Sequence, residues 1–223
     1  MEKKFKLGLI RVVTITDEHL LNQHGRLLEQ YYPQFSVESR CIEDQPTGIH
    51  DDETEALAVP KIIKLVKEWQ DVDAVVISCA GDPAVQELRA ELTIPVIGAG
   101  EATALLAQNY GKKFGVLGIT EDVPRAYSRA FGANIVGTCR TEGVYSTLDL
   151  MTEKGRTSVV QKALELKELG AEVIALACTG MSTIEIAKEL EDVCQIPVID
   201  PVMAEGLVAY FECLRTVRSE FVG

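Results

Sequence analysis

The chain says much of the same thing twice. Residues 73–97, DAVVISCAGDPAVQELRAELTIPVI, have a counterpart in residues 172–199, EVIALACTGMSTIEIAKELEDVCQIPVI. Each copy holds a short uninterrupted apolar run, a cysteine directly after it, a glycine two residues further on, one helix-length stretch, and then Ile-Pro-Val-Ile. Cys79 and Cys178 lie 99 residues apart and Pro95 and Pro197 lie 102 apart, so the registers agree within three residues. A duplication of this kind restricts the chain to two similar units. The apolar runs AVVIS and EVIALA are short and unalternating, as in strands buried on both faces of a parallel sheet.

The surrounding pattern fits. Strands are predicted at 5–13, 35–42, 74–78, 94–98, 112–120, 133–138, 172–177 and 196–200. Helical spacing covers 17–32, 54–69, 83–91, 101–110, 122–131, 155–169, 183–193 and about 202–219. Strands alternating with helices imply right-handed βαβ units and parallel sheets. The expected fold is therefore α/β. It has two pseudo-symmetric lobes, each a parallel sheet flanked by helices, with the active site in the cleft between them. Residues 1–98 with 203–223 would form the first lobe and 99–202 the second. No linker rich in Pro, Gly or Ser separates them.

Composition narrows the function. With 47% hydrophobic and 25% charged residues the balance is that of an ordinary globular protein. A net charge of −12 argues against nucleic acid and against an anionic membrane surface. It leaves room for a small anionic substrate in a local pocket. The N-terminal run reads as a strand rather than a signal peptide, and no apolar run reaches membrane-spanning length, so a soluble cytoplasmic protein is expected. The six cysteines show neither CxxC nor zinc-finger spacing and are expected to be thiols. His19, His24 and His50 share no i, i+4 face, so no metal is expected. Gly115 and Gly118 do not make a dinucleotide fingerprint, and no phosphate-binding loop is present.

Cys79 and Cys178 stand apart from the other four because of their place. Ligands of parallel sheets bind beyond the carboxyl ends of strands, where both cysteines fall. Two thiols reaching a substrate carbon from opposite faces would suffice to invert it without a cofactor, one removing a proton and the other returning one. Each cysteine precedes a predicted helix whose N-terminus would favour the thiolate. Asp82 is the expected N-cap of the first helix, with Pro83 at its first position, and Ser182 with Glu185 forms an expected capping box on the second. Asp82 could equally orient a thiol or substrate. Gly81 and Gly180 would let backbone N–H groups turn toward an enolate or carboxylate. Against this stands packing: a single cysteine at a strand end is usually a small buried hydrophobe. That reading is taken for Cys41, Cys139, Cys194 and Cys213, which lack the Cys-x-Gly setting. Arg11, Arg125 and Arg140 could bind a carboxylate, though arginines so placed are more often solvated.

The same residues resemble the aspartate/glutamate/hydantoin racemase superfamily over nearly the whole chain. CAGDP at 79–83 with PVIG at 95–98 and EA at 101–102, DDETEALAVP at 51–60, and CTGM at 178–181 with PVID at 197–200 are similar to the blocks of the hydantoin racemase branch. Glutamate and aspartate racemases typically carry Asn-Thr and Thr-His after the two cysteines, where this chain has Ala80-Gly81 and Thr179-Gly180. Arg11-Val12-Val13-Thr14 replaces an Asn-Pro-Asn type segment, and Ala80 stands where that branch often has phenylalanine. The resemblance implies catalytic thiols at Cys79 and Cys178, racemisation without cofactor, and a homo-oligomer. It also implies substrate contacts from backbone groups after each cysteine, at Ala80, Gly81, Asp82, Thr179 and Gly180, and at the strand end Gly118-Ile119-Thr120. The reaction expected is racemisation at the α-carbon of a hydantoin or related amino-acid derivative. Alternatives are a one-thiol isomerase or decarboxylase of the same superfamily and a non-catalytic two-lobed binding module for small molecules. A redox switch that joins the two thiols is a further one.

Overall fold

The computed structural model describes residues 4–137 and 139–218. Thr138, at the end of the 133–138 strand expectation, lies outside them, as do residues 219–223 at the C-terminus. The chain is α/β and forms two compact units. One comprises residues up to Ser78, Asp82–Gly98, and the chain from Val202 onward; the other comprises Cys79–Gly81 and Ala99–Pro201.

The first unit contains a four-stranded parallel sheet in the order β2-β1-β3-β4. Its strands are β1 (Phe5–Arg11), β2 (Phe35–Cys41), β3 (Ala74–Ser78) and β4 (Val96–Gly98). The register pairs Arg11 with both Cys41 and Ser78, so three strands end level with one another. All five residues of β3 are buried, as the unalternating run AVVIS requires of a central strand covered on both faces. The helices of this part are α1 (Glu18–Leu21), α2 (Gln23–Tyr31), α3 (Asp52–Val66) and α4 (Val85–Glu91). The expected helix at 17–32 is thus split at Asn22, which ends α1 and caps α2. Helix α3 is started by Asp51, whose carboxylate accepts from the Thr54 N–H at 2.8 Å, and it runs through Pro60. Phe5, Tyr32, Phe35 and Tyr210 form an aromatic cluster with ring centroids 5.8–6.5 Å apart. Gly8 is small because the Trp69 ring lies against it.

The second unit repeats the topology, with order β6-β5-β7-β8 and every pairing parallel. Its strands are β5 (Phe114–Leu117), β6 (Ile135–Val136), β7 (Val173–Leu176) and β8 (Val198–Ile199). The helices following β4 are α5 (Ala99–Ala107), α6 (Arg125–Phe131), α7 (Thr147–Leu150), α8 (Glu153–Glu168), α9 (Gly180–Thr183) and α10 (Ala187–Cys194). Its core gathers Leu117, Val159, Leu166, Ile174, Leu176, Met181 and Leu190. Phe114 and Phe131 stack at 3.9 Å, and the Tyr127 hydroxyl donates to the Leu176 carbonyl at 2.9 Å. The last helix, α11 (Pro201–Arg218), joins the first unit from Val202 on. Among the described residues no helix is long and apolar enough to cross a membrane.

Two capping expectations fail. Helix α4 begins at Val85, not at Pro83, and its N-cap is Ala84 in the left-handed region at φ 62° with no side-chain cap bond. Asp82 is itself left-handed at φ 55°, and its carboxylate folds against Gly98 at the end of β4, where a Cβ would lie 2.3 Å from Oδ1. Two consecutive tight turns replace the single cap. On the second copy Ser182 lies inside α9 and hydrogen-bonds Asp200 at 2.9 Å. Glu185 sits at φ 49° in the turn before α10, which starts at Ala187 behind Ile186 without a side-chain cap.

Candidate active site

Both cysteines lie just past the ends of repeat-equivalent strands: Cys79 directly follows β3 and Cys178 lies two residues after β7. No disulfide joins any of the six cysteines. Cys79 is partly exposed and Cys178 is buried at 7%. The Cys-x-Gly pattern has the same local meaning in both copies. The site where Gly81 would carry a Cβ lies 3.8 Å from the Cys79 sulfur, and the one on Gly180 lies 3.3 Å from the Cys178 sulfur. Glycine therefore keeps the space beside each sulfur clear. Around Gly81 that sulfur is the nearest atom, whereas Leu150 and Thr147 close in on Gly180 at 3.0 Å. Helix α7 thus walls one side of the Cys178 segment.

The backbone after Cys178 turns at once into α9. The Cys178 carbonyl accepts from the Met181 N–H at 3.0 Å, and the Thr179 carbonyl from the Ser182 N–H at 3.1 Å. Thr179 and Gly180 are buried, as is Ala80 after the first cysteine; Gly81 and Asp82 are half-buried.

Gly118-Ile119-Thr120 continues β5 toward Cys139. The Gly118 N–H donates to the Cys139 carbonyl at 3.0 Å, and its carbonyl accepts from both the amide and the hydroxyl of Thr141 at 3.0 Å. Gly118 thereby stitches β5 to the strand-like residue Arg140. Ile119 is buried, while Thr120 is half-exposed and donates through its hydroxyl to the Asp122 carbonyl at 2.8 Å. Cys139 is 1% exposed, and burial pushes its thiol up to about 12. The charge of a Cys178 thiolate would add to that, and the Thr120 hydroxyl and Lys162 partly offset it. Cys139 is therefore a neutral thiol near Cys178. Cys194 and Cys213 are likewise raised by burial, the latter to about 12.

One polar constellation escapes sequence reasoning. His24 Nδ1 lies 2.9 Å from Ser78 Oγ, which donates to Glu205 Oε1 at 2.9 Å, with all three residues buried. Its signals in the sequence are slight: Ser78 interrupts an apolar run one residue before Cys79, and Glu205 is the lone charge in PVMAEGLVAY.

Comparison with known proteins decides the family. The model of the Asp/Glu/Hydantoin racemase family matches residues 16–205. The chain belongs to this family. It is 30% identical over 178 residues to the hydantoin racemase of Rhizobium meliloti, covering 74% of this chain and 73% of that protein. It is 29% identical over 175 residues to the hydantoin racemase of Pseudomonas sp. (strain NS671), covering 71% and 66%. The chain thus spans about two thirds to three quarters of the length of these curated relatives. Its fold is similar to that of allantoin racemase from Pseudomonas fluorescens, with a TM-score of 0.78 at 19% identity over 92% of this chain and 89% of that one. Both Cys-x-Gly segments lie inside the matched region.

Proposed function

We propose that this family member is a cofactor-independent racemase acting at the α-carbon of a hydantoin or related amino-acid derivative, with Cys79 and Cys178 as its acid–base pair. The observation that carries the reading is the equivalence of the two cysteines. Each lies within two residues of the end of a matching strand, and each has a glycine whose missing Cβ leaves room beside the sulfur. One thiolate takes the α-proton, the electron pair passes into the adjacent carbonyl, and the other thiol protonates the opposite face. The substrate class is taken from the relatives, which are named hydantoin racemases.

On this reading Ala80, Gly81, Asp82, Thr179, Gly180 and the Ile119-Thr120 segment contact the substrate, and Gly118 supports them through its bonds to Cys139 and Thr141. The test is proton exchange in heavy water with a panel of hydantoins, allantoin and free amino acids. Exchange at the α-carbon is expected for at least one hydantoin and lost in Cys79→Ala and in Cys178→Ala. Full-rate exchange in both single variants would end the assignment. We extend the reading to a homo-oligomer in the cytoplasm. Met203, Leu207, Phe211 and Leu214 of α11 support the first by leaving apolar surface exposed, and six cysteines without a disulfide support the second. Light scattering at the monomer mass would refute the oligomer.

A further inference from the structure

A buried polar chain beside one of the two thiols has no part in the chemistry just described. His24 on α2, Ser78 at the end of β3 and Glu205 on α11 are 0%, 2% and 0% exposed. Ser78 Oγ spends its proton on Glu205 Oε1, so it accepts from His24 Nδ1, which is then the N–H tautomer or the imidazolium. Burying an imidazole and a carboxylate is expensive unless they are hydrogen-bonded, and apolar residues of similar volume would pack the same space at lower cost. The second copy makes the comparison within the same chain. The residue corresponding to Ser78 is Ala177, which precedes Cys178 and packs on Gly118. A strand end of this topology therefore closes without a hydroxyl. The hydroxyl chain is peculiar to the first copy, and the residue after it is Cys79.

We propose that Ser78, gripped between His24 and Glu205, is a positioning residue for Cys79. The two bonds tie the end of β3 to α2 on one side and α11 on the other. They fix the backbone from which Cys79 departs, at a point where the next helix begins only after two left-handed residues, Asp82 and Ala84. Arg11, the register partner of Ser78 on β1, is also buried and donates from Nη1 to the Leu20 carbonyl at 3.0 Å, which anchors the neighbouring strand end to α1. The proposal rests on Cys79 being an acid–base thiol, but its test needs no substrate.

The experiment is residue-resolved alkylation with iodoacetamide across a range of pH, read by peptide mass mapping, with Cys178 as the internal control. In Ser78→Ala the rate at Cys79 should change by about tenfold or more, and its pH profile should move, while Cys178 stays within about twofold. Ser78→Thr keeps the hydroxyl and should restore the parental rate and profile. Should Ser78→Ala fail to fold, Glu205→Leu, which removes the acceptor of the Ser78 hydroxyl, is read in the same way and should also alter Cys79 selectively. Unchanged Cys79 alkylation in a folded Ser78→Ala or Glu205→Leu protein would overturn the proposal. So would a Ser78→Thr protein as altered as Ser78→Ala. Loss of exchange activity in all variants with normal Cys79 alkylation would count against the positioning role and leave the racemase reading standing.

Discussion

Gly118→Ala tests whether the strand end near Cys178 is as tight as its geometry states. A Cβ built on Gly118 lies 2.7 Å from the Cys139 sulfur and 3.3 Å from both the Cβ and the carbonyl oxygen of Ala177. Comfortable non-bonded contact is about 3.5–4.0 Å, so the sulfur must retreat by about 1 Å. It has little room to do so. Cys139 is 1% exposed, and its carbonyl is held by the Gly118 N–H at 3.0 Å. Overpacking of this kind costs about 1–3 kcal/mol. At about 2 kcal/mol the melting temperature of a chain this size falls by roughly 4–8 °C. Removing the sulfur removes the severe contact and leaves only the two at 3.3 Å, so in a Cys139→Ala background the same substitution should cost under about 0.5 kcal/mol. The coupling is then on the order of 1.5 kcal/mol. The assay is urea denaturation of the four proteins of the cycle, compared at equal slope. A Gly118→Ala cost that persists undiminished without the sulfur would refute the packing argument. Exchange activity measured on the double variant then asks whether Gly118 matters to the substrate once stability is recovered.

Two further outcomes follow from the same unit. Tyr127→Phe removes the hydroxyl that donates to the Leu176 carbonyl at 2.9 Å from a fully buried ring, and should cost about 1–1.5 kcal/mol in denaturant titration; no measurable change would mean that the bond contributes nothing. The Cys139 thiol, raised to about 12, keeps its proton in the folded chain after an unfolded thiol has lost its own near pH 8.5. Its contribution is complete below that pH and is lost as pH rises toward 12, at up to about 1.4 kcal/mol per unit. Alkaline denaturation should therefore be shallower in Cys139→Ala, and an identical slope would show that another group sets the alkaline limit.

The strands were readable because their signal is local and strong. AVVIS at 74–78 coincides with β3, and the repeat from apolar run to Ile-Pro-Val-Ile dictated two sheets of the same order. Helix starts were not readable at the two places that matter to the site. Asp82-Pro83 and Ser182…Glu185 carry capping chemistry, yet tertiary contacts take their side chains elsewhere, Asp82 onto Gly98 and Ser182 onto Asp200. A cap is worth about 1 kcal/mol, so one better-placed partner overrides it. The His24–Ser78–Glu205 chain was invisible for another reason. Its members lie 54 and 127 residues apart, and only the packing of α2 and α11 on the sheet brings them together.

The duplication also hides an inequality. Cys79 is partly exposed and follows a hydrogen-bonded serine; Cys178 is buried, follows an alanine and has a second thiol, Cys139, close by. Under the racemase reading such unequal thiols cannot favour one product, because enantiomers have equal free energies in water. The ratio kcat/KM must then be the same in both directions. Unequal surroundings would then act on kcat and KM taken separately, so the direction with the lower kcat has a proportionately lower KM. On that reading the shared strand ends would supply two bases at equivalent positions, and the divergent residues behind them would decide how the barrier is divided between the two directions.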